Sequence, residues 1–341
     1  MNVGFFGLQF SFGLQQANMT PIYKYLGADE GTMPLLWLAG PMTGLIVQPI
    51  IGAMSDRTLS RLGRRTPYFL IGAVICSLCL FAMPYSTALW AAASLLWLLD
   101  AGNNITMEPY RAYVADRLLP EQQPAGFLTQ SAFTGFAQCA SYAAPALLAA
   151  WGVSTQVTAP QPIPEIVRLA FLIGAVLSIC AIFYSVLRLP ELPLDDAERV
   201  RIAALPRSFG AAIEEIVDAI RDMPQAMRRL ALAMLCQWYA MFLYWQYISL
   251  SVTKSLYGST DANSPNFLNG TLTAQEMGVA YNAVAFVGAL TLIPIVRRIG
   301  APRVKGFAGP HRPSPWRRLR QQRGSRCCSP QRSASVSAGQ G

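Results

Sequence analysis

Gly52-Ala-Met-Ser-Asp-Arg-Thr-Leu-Ser-Arg-Leu-Gly-Arg-Arg-Thr-Pro67 sets four arginines and an aspartate between two apolar runs. The runs, at about 35–54 and 67–86, are each long enough to cross a bilayer as a helix. Gly52 lets two helices approach closely near the membrane face. Asp56 can accept hydrogen bonds from a neighbouring helix's free amides or pair with an arginine. Arg64 and Arg65 anchor this end in water, and Pro67 suits the first turn of the helix that follows. A loop that only gathers positive charge explains the arginines. It does not explain the order Gly-x-x-Ser-Asp-Arg and then Gly-Arg-Arg-x-Pro.

Outward from this loop the chain stays apolar. It is 53% hydrophobic and 13% charged, where an ordinary soluble domain is about a quarter charged. Eight membrane spans are expected, at about 3–26, 35–54, 67–86, 88–118, 126–151, 168–188, 229–256 and 276–297. Arginine collects in the 2–3, 4–5 and 6–7 loops, against only Lys24, Arg168 and Lys254 on the other side. That places the first set in the cytoplasm and the amino terminus inside. No cleavable leader precedes the first apolar residues, and a plasma (inner) membrane protein is expected.

The connection at 189–228 is the longest. Within it Ile213, Ile216, Val217 and Ile220 recur at helical spacing among Glu214, Glu215, Asp218 and Arg221, which predicts an amphipathic helix lying at the cytosolic interface. Six spans (1–188), a linker and two further spans (229–300) are the plan of a two-half transporter whose second half is incomplete. The net charge of +9 belongs to residues 301–341, which hold nine of the 27 Lys+Arg and no acid. That segment, with Pro310, Pro313, Pro315, Pro330 and Cys327-Cys328, has no run able to span or build a core. Two readings stay open: a natural basic tail, or translation out of frame, favoured because the change falls where a ninth span should begin. Nine basic residues in such a segment are not a nucleic-acid reading surface.

Other signals are bland. Cys76 and Cys79 have C-x-x-C spacing without a second pair, and the one histidine, His311, is in the tail; core packing fits better than metal or redox chemistry. Asn269-Gly270-Thr271 is a formal glycosylation acceptor in the 7–8 loop. No set of nucleophile, base and oxyanion donors points to an enzyme.

The fourth span is unusual. Asp100-Ala-Gly-Asn-Asn-Ile-Thr-Met-Glu-Pro-Tyr-Arg111 puts ionisable groups where they are costly. At ~100° per residue, Asn104, Glu108 and Arg111 fall about 40°, 80° and 20° from Asp100, on one face. Pro109 interrupts the helical bonding beside Glu108. Glu108 and Arg111 can form a local i, i+3 pair near the cytosolic end. Asp100 is about 16 Å from Arg111, near mid-membrane, where burial disfavours a charged carboxylate and suits reversible proton binding. On span one Gln9 and Gln16 share a face, with Gln15 and Asn18 nearby. On span seven Gln237, Trp238, Tyr239 and Gln246 combine amides with aromatic surface, as sugars require.

The 52–67 loop resembles the signature between helices two and three of the major facilitator superfamily. Its Ser55-Asp-Arg and Ser60-Arg-x-Gly-Arg-Arg-x-Pro67 look most like the sucrose–proton symporters of the glycoside–pentoside–hexuronide:cation branch, with Thr66 where many members have a third arginine. Trp37-Leu-Ala-Gly-Pro-Met-Thr-Gly-Leu-Ile-Val-Gln-Pro49 and Asp100-x-x-Asn-Asn-x-x-x-x-Pro-x-Arg-Ala112 are similar to that family's second and fourth helices. Met107-Glu108 replaces the Gln-Gly common in plant members. The likeness runs from about residue 4 to 300 and is strongest through 118.

The resemblance implies an all-α membrane protein of the major facilitator fold, with no cofactor and no metal. It implies symport of a sugar, sucrose or maltose, with a proton; the partners are sugar, proton and lipid bilayer. Asp100 would couple the proton. Arg111, Asn103, Asn104, Glu108, Gln9, Gln16, Trp238 and Gln246 would serve substrate or transport, and Asp56, Arg57, Gly63, Arg64 and Arg65 the cytosolic gate. The alternative is a truncated, non-transporting membrane protein, inactive or limited to sugar binding or interaction.

Overall fold

The computed structural model describes residues 2–157, 162–188, 191–192, 195–204, 209–262 and 264–299. The 301–341 segment, with both readings of it, lies outside the described residues. The chain divides into two units, Met1–Pro294 and Ile295–Gly341; of the second, only the last turn of the final helix is described.

Every regular element among the described residues is helical. The order is α1 (Val3–Tyr25), α2 (Met33–Leu36), α3 (Ala39–Asp56), α4 (Thr66–Ala82), α5 (Leu89–Arg117), α6 (Gln123–Ala150), α7 (Glu165–Arg188), α8 (Asp196–Ala204), α9 (Phe209–Arg221), α10 (Gln225–Tyr257) and α11 (Pro265–Ile299). A helix stands at each of the eight expected spans. Two differ in detail. The second is interrupted at Trp37 and Leu38, so α2 is a single turn ahead of α3. The eighth starts well before residue 276, because Ser264 Oγ accepts from the Asn266 amide and Pro265 opens the first turn. Asn269-Gly270-Thr271 is therefore helical, with Thr271 buried, and not the loop acceptor expected from the sequence.

Among the described residues, four apolar stretches are long enough to cross a membrane: Glu30–Asp56, Thr66–Tyr85, Glu165–Arg188 and Pro265–Arg298. The other long helices, α1, α5, α6 and α10, carry most of the buried amides. Leu45, Leu78, Trp90, Val176 and Leu187 project outward, exposed. In lipid, helices associate through close packing and polar contacts, not by removing apolar surface from water.

Helix α1 is buried over almost its whole length, packing on α6 and α7, with α10 against it as well. Its Leu14, Ile22 and Tyr23 join Leu80, Leu96, Leu99 and Phe171 in the larger apolar cluster; Phe5 and Leu8 join Phe69, Tyr110 and Ile182 in the smaller. A close seam joins α4 to α5. A Cβ on Gly72 would overlap Thr106 Oγ1 and stand 2.6 Å from the Gly102 carbonyl oxygen. Gly52 was expected to mediate such a contact and does not. A Cβ there would meet Glu108 Cγ at 3.7 Å, an ordinary distance. Small residues that do bring backbones together include Gly72 and Gly102, one helix further on.

Candidate functional site

Asp100 is buried, 3% exposed, in the middle of α5. Its Oδ1 accepts from Gln15 Nε2 of α1 at 2.6 Å. Gln15 Oε1 accepts in turn from Asn103 Nδ2 at 3.1 Å, and Asn103 Oδ1 accepts from the Cys76 thiol of α4 at 3.2 Å. This chain of bonds fixes the Gln15 amide with its donor edge on the carboxylate. Asn104 turns the other way. Its Nδ2 donates to Thr43 Oγ1 of α3 (3.1 Å) and to the Asp100 carbonyl (2.8 Å), while Gln48 Nε2 donates to its Oδ1. Adjacent asparagines thus tie α5 to α1 and α4 on one side and to α3 on the other. Among the described residues no cation pairs with Asp100, whose side chain accepts from the Gln15 amide.

Of the residues expected from the sequence, Asn103 and Asn104 join Asp100 in this network. Gln9 does not reach it; Gln9 Oε1 accepts from Gln138 Nε2 of α6 at 3.0 Å. Gln16 is 6% exposed and its Oε1 is buried without a partner. Gln246 of α10 is 1% exposed; its carbonyl accepts from Thr20 Oγ1 at 2.9 Å and its Nε2 is buried without a partner. Trp238 is 57% exposed, two turns away along α10, with Trp245 as its ring neighbour. Arg111 is exposed and Glu108 half-buried. Among the described residues no ion pair joins those two. Glu108 instead lines a cavity of about 670 Å³ with Gln48, Gly52, Asp56 and the Ile216, Ile220 and Met223 side chains beyond α3.

The loop residues form a second polar cluster at the other end of α3 and α5. Arg65 is buried. Its Nη2 pairs with Asp56 Oδ1 at 2.8 Å, its Nε with Asp116 Oδ2 at 2.7 Å, and its Nη1 donates to Ser55 Oγ at 3.0 Å. Arg64 Nη2 shares Asp116 Oδ2 at 2.8 Å. Arg57 is half-buried at the end of α3. The free amides at the start of α4 are taken by Glu191, a residue the sequence reading missed. Its carboxylate accepts from the backbone N–H groups of Arg64 (2.7 Å), Arg65 (2.6 Å) and Thr66 (2.6 Å), and from Thr66 Oγ1 (3.0 Å). An anion there meets both the unpaired donors and the positive end of the helix. Asp116 was missed as well. The available signals were an acid just past the sixth span and an acid four turns below Asp100.

The observations define a class: an all-α integral membrane protein with a buried carboxylate in an amide network and an ion-paired cluster at one helix end. The chain belongs to the Major Facilitator Superfamily, a family of membrane transporters, whose family model matches residues 1–310. It is 36% identical to sucrose transport protein SUC4 of Arabidopsis thaliana over 126 residues, 32% of this chain and 25% of the relative. It is 38% identical to sucrose transport protein SUT2 of Oryza sativa subsp. japonica over 139 residues, 35% of this chain and 27% of the relative. The chain spans about a quarter of the length of the curated relatives it matches.

Proposed function

We propose that this chain moves a disaccharide, sucrose or maltose, across the membrane in symport with a proton carried by Asp100. One observation carries the reading: a buried carboxylate that accepts from an amide and has no cation beside it among the described residues. A buried acid held by a cation would stay ionised, whereas one with only neutral neighbours can exist in either state. The similarity to proteins named for sucrose transport supports a sugar as the cargo.

Charged Asp100 accepts from Gln15; protonated, it removes a buried charge from the seam and gains a donor for a sugar hydroxyl. That favours a sugar-bound state able to turn inward. Asn103 and Asn104 orient this centre, Gln16 and Gln246 offer further buried amides, and Gln9, bonded to Gln138, acts outside the network. Trp238, Glu108 and Arg111 act later on the path, outside the central network. Asp56, Arg57, Gly63, Arg64 and Arg65, with Asp116 and Glu191, hold the cytosolic gate. In this reading 1–188 is the amino-terminal bundle, 189–228 the cytosolic linker and 229–300 the start of a second bundle, in the plasma (inner) membrane with the amino terminus inside.

The test is uptake of labelled sucrose and maltose into vesicles together with internal pH. Asp100→Asn should abolish sugar-driven proton uptake while the protein still inserts and folds. Proton coupling that survives this change refutes the assignment.

A further inference from the structure

The cavity that Glu108 lines does not open onto Asp100. Its inner walls come from α3 and α5, and its outer wall from Ile216, Ile220 and Met223 of the connection between the sixth and seventh spans. Between the helices its lining reaches Gln48 and Glu108. A closed run of hydrogen bonds stands behind Gln48. Gln48 Nε2 donates to Asn104 Oδ1, and Asn104 Nδ2 donates to Thr43 Oγ1 at 3.1 Å and to the Asp100 carbonyl at 2.8 Å. Thr43 Oγ1 donates onward to the Ala39 carbonyl at 2.8 Å. Asn104 (8% exposed) and Thr43 (5% exposed) are buried, whereas Gln48 and Glu108 are half-buried.

We propose that the Gln48–Asn104 bond is the inner barrier of the proton path, and that Glu108, in the cavity beyond it, receives the proton from Asp100. The inference rests on the proton-symport reading and adds how the proton leaves. Glu108 is about 12 Å along α5 from Asp100, too far for direct transfer. Carboxamides donate and accept hydrogen bonds without giving up or taking a proton, so the closed pair insulates one acid from the other. When the pair parts, water from the cavity bridges them. The proton passes from the Asp100 carboxyl through that water to the Glu108 carboxylate, leaving Asp100 ionised and Glu108 neutral. Glu108 then releases it to bulk water, and the barrier closes. The other charged groups here are Asp56 of α3 and Asp222 beyond α9, which line the cavity, and Arg111 on α5. Asp56 is paired with Arg65 at 2.8 Å, and Asp222 and Arg111 are exposed. Glu108 is one turn from Asn104, whereas Asp56 is two turns from Gln48. Position therefore singles out Glu108.

Two measurements on the full chain test this. The first reads the barrier without transport. With the native cysteines replaced by serine, Thr43→Cys should react with a charged methanethiosulfonate at least about tenfold more slowly than Glu108→Cys, and adding Gln48→Ala should speed it about tenfold. The second reads proton release in vesicles. Glu108→Gln should lower net sugar-driven proton uptake about tenfold more than it lowers exchange of labelled for unlabelled sugar, which needs no proton release. Glu108→Asp should recover part of the net uptake. Monodispersity in detergent separates these effects from misfolding. Thr43→Cys reacting as fast as Glu108→Cys, or Glu108→Gln leaving net uptake and exchange in their original ratio, overturns the inference and leaves symport at Asp100 standing. An unaltered chain that takes up no sugar, or takes it up without a proton, overturns the symport reading and this inference together.

Discussion

Gly63 has φ of +107°, and a Cβ on it would stand 2.6 Å from Glu191 Cδ. Only glycine meets both demands, the left-handed backbone and the space for a carboxylate that caps α4. Gly63→Ala should therefore cost about 1–3 kcal/mol. Glu191→Gln should cost on the order of 1–2 kcal/mol, because the neutral amide loses the favourable charge at the helix start and turns an N–H toward other N–H groups. Melting of the detergent-solubilised chain followed by tryptophan fluorescence reads both, and a Glu191→Gln protein that melts with the unaltered one removes the capping role. Gly63 was legible from the loop motif; Glu191 was not. It lies more than a hundred residues along the chain from the amides it caps, and an acid after a span has no spacing that points to them. The same limit applied at Asp100. Burial was legible from a charge within an apolar run, but Gln9, Gln15 and Gln16 could not be ranked. Helices surround α1, so its polar side chains point several ways, and only the partner helices decide that Gln15 meets the carboxylate.

At the scale of elements, the helices follow from apolar length, and their ends from local chemistry such as Pro67 in the first turn of α4 and Ser264 before α11. Which glycine faces which helix does not follow, because a glycine reads alike on a packed seam and on an open face. The seam between α4 and α5 makes the difference measurable. Gly72→Ala would push a methyl onto Thr106 and the Gly102 carbonyl, both held by their own helix, so overpacking should cost about 1–3 kcal/mol. Gly44→Ala on α3 meets nothing within 4 Å and should be neutral or slightly stabilising through helix propensity. The two variants change the same atoms on neighbouring helices. Equal melting temperatures for them would mean that α4 and α5 are not packed on these glycines.

At the scale of the molecule, the two polar clusters share α3 and α5. Asp116 lies about 24 Å along α5 from Asp100, and Gln48 and Asn104 join the two helices between them. On the proposed reading this pair carries the proton-binding group at its middle and ion pairs at one end, the parts needed to relate protonation to opening, provided the ion-paired end faces the cytosol. The charge distribution is what supports that orientation: arginines 57, 61, 64 and 65 sit in the loop that closes this end, and excess Lys and Arg favour a cytoplasmic loop. Ser60 and Thr87 are exposed at opposite ends of α4. With the native cysteines replaced by serine, an impermeant maleimide added to intact cells should leave Ser60→Cys unmodified and label Thr87→Cys, and broken cells should label both. Labelling of Ser60→Cys from outside would invert the orientation, and Asp100 would then take its proton from the arginine-rich side. On the proposed reading, the direction of symport rests on this one accessibility measurement more than on any residue in the network.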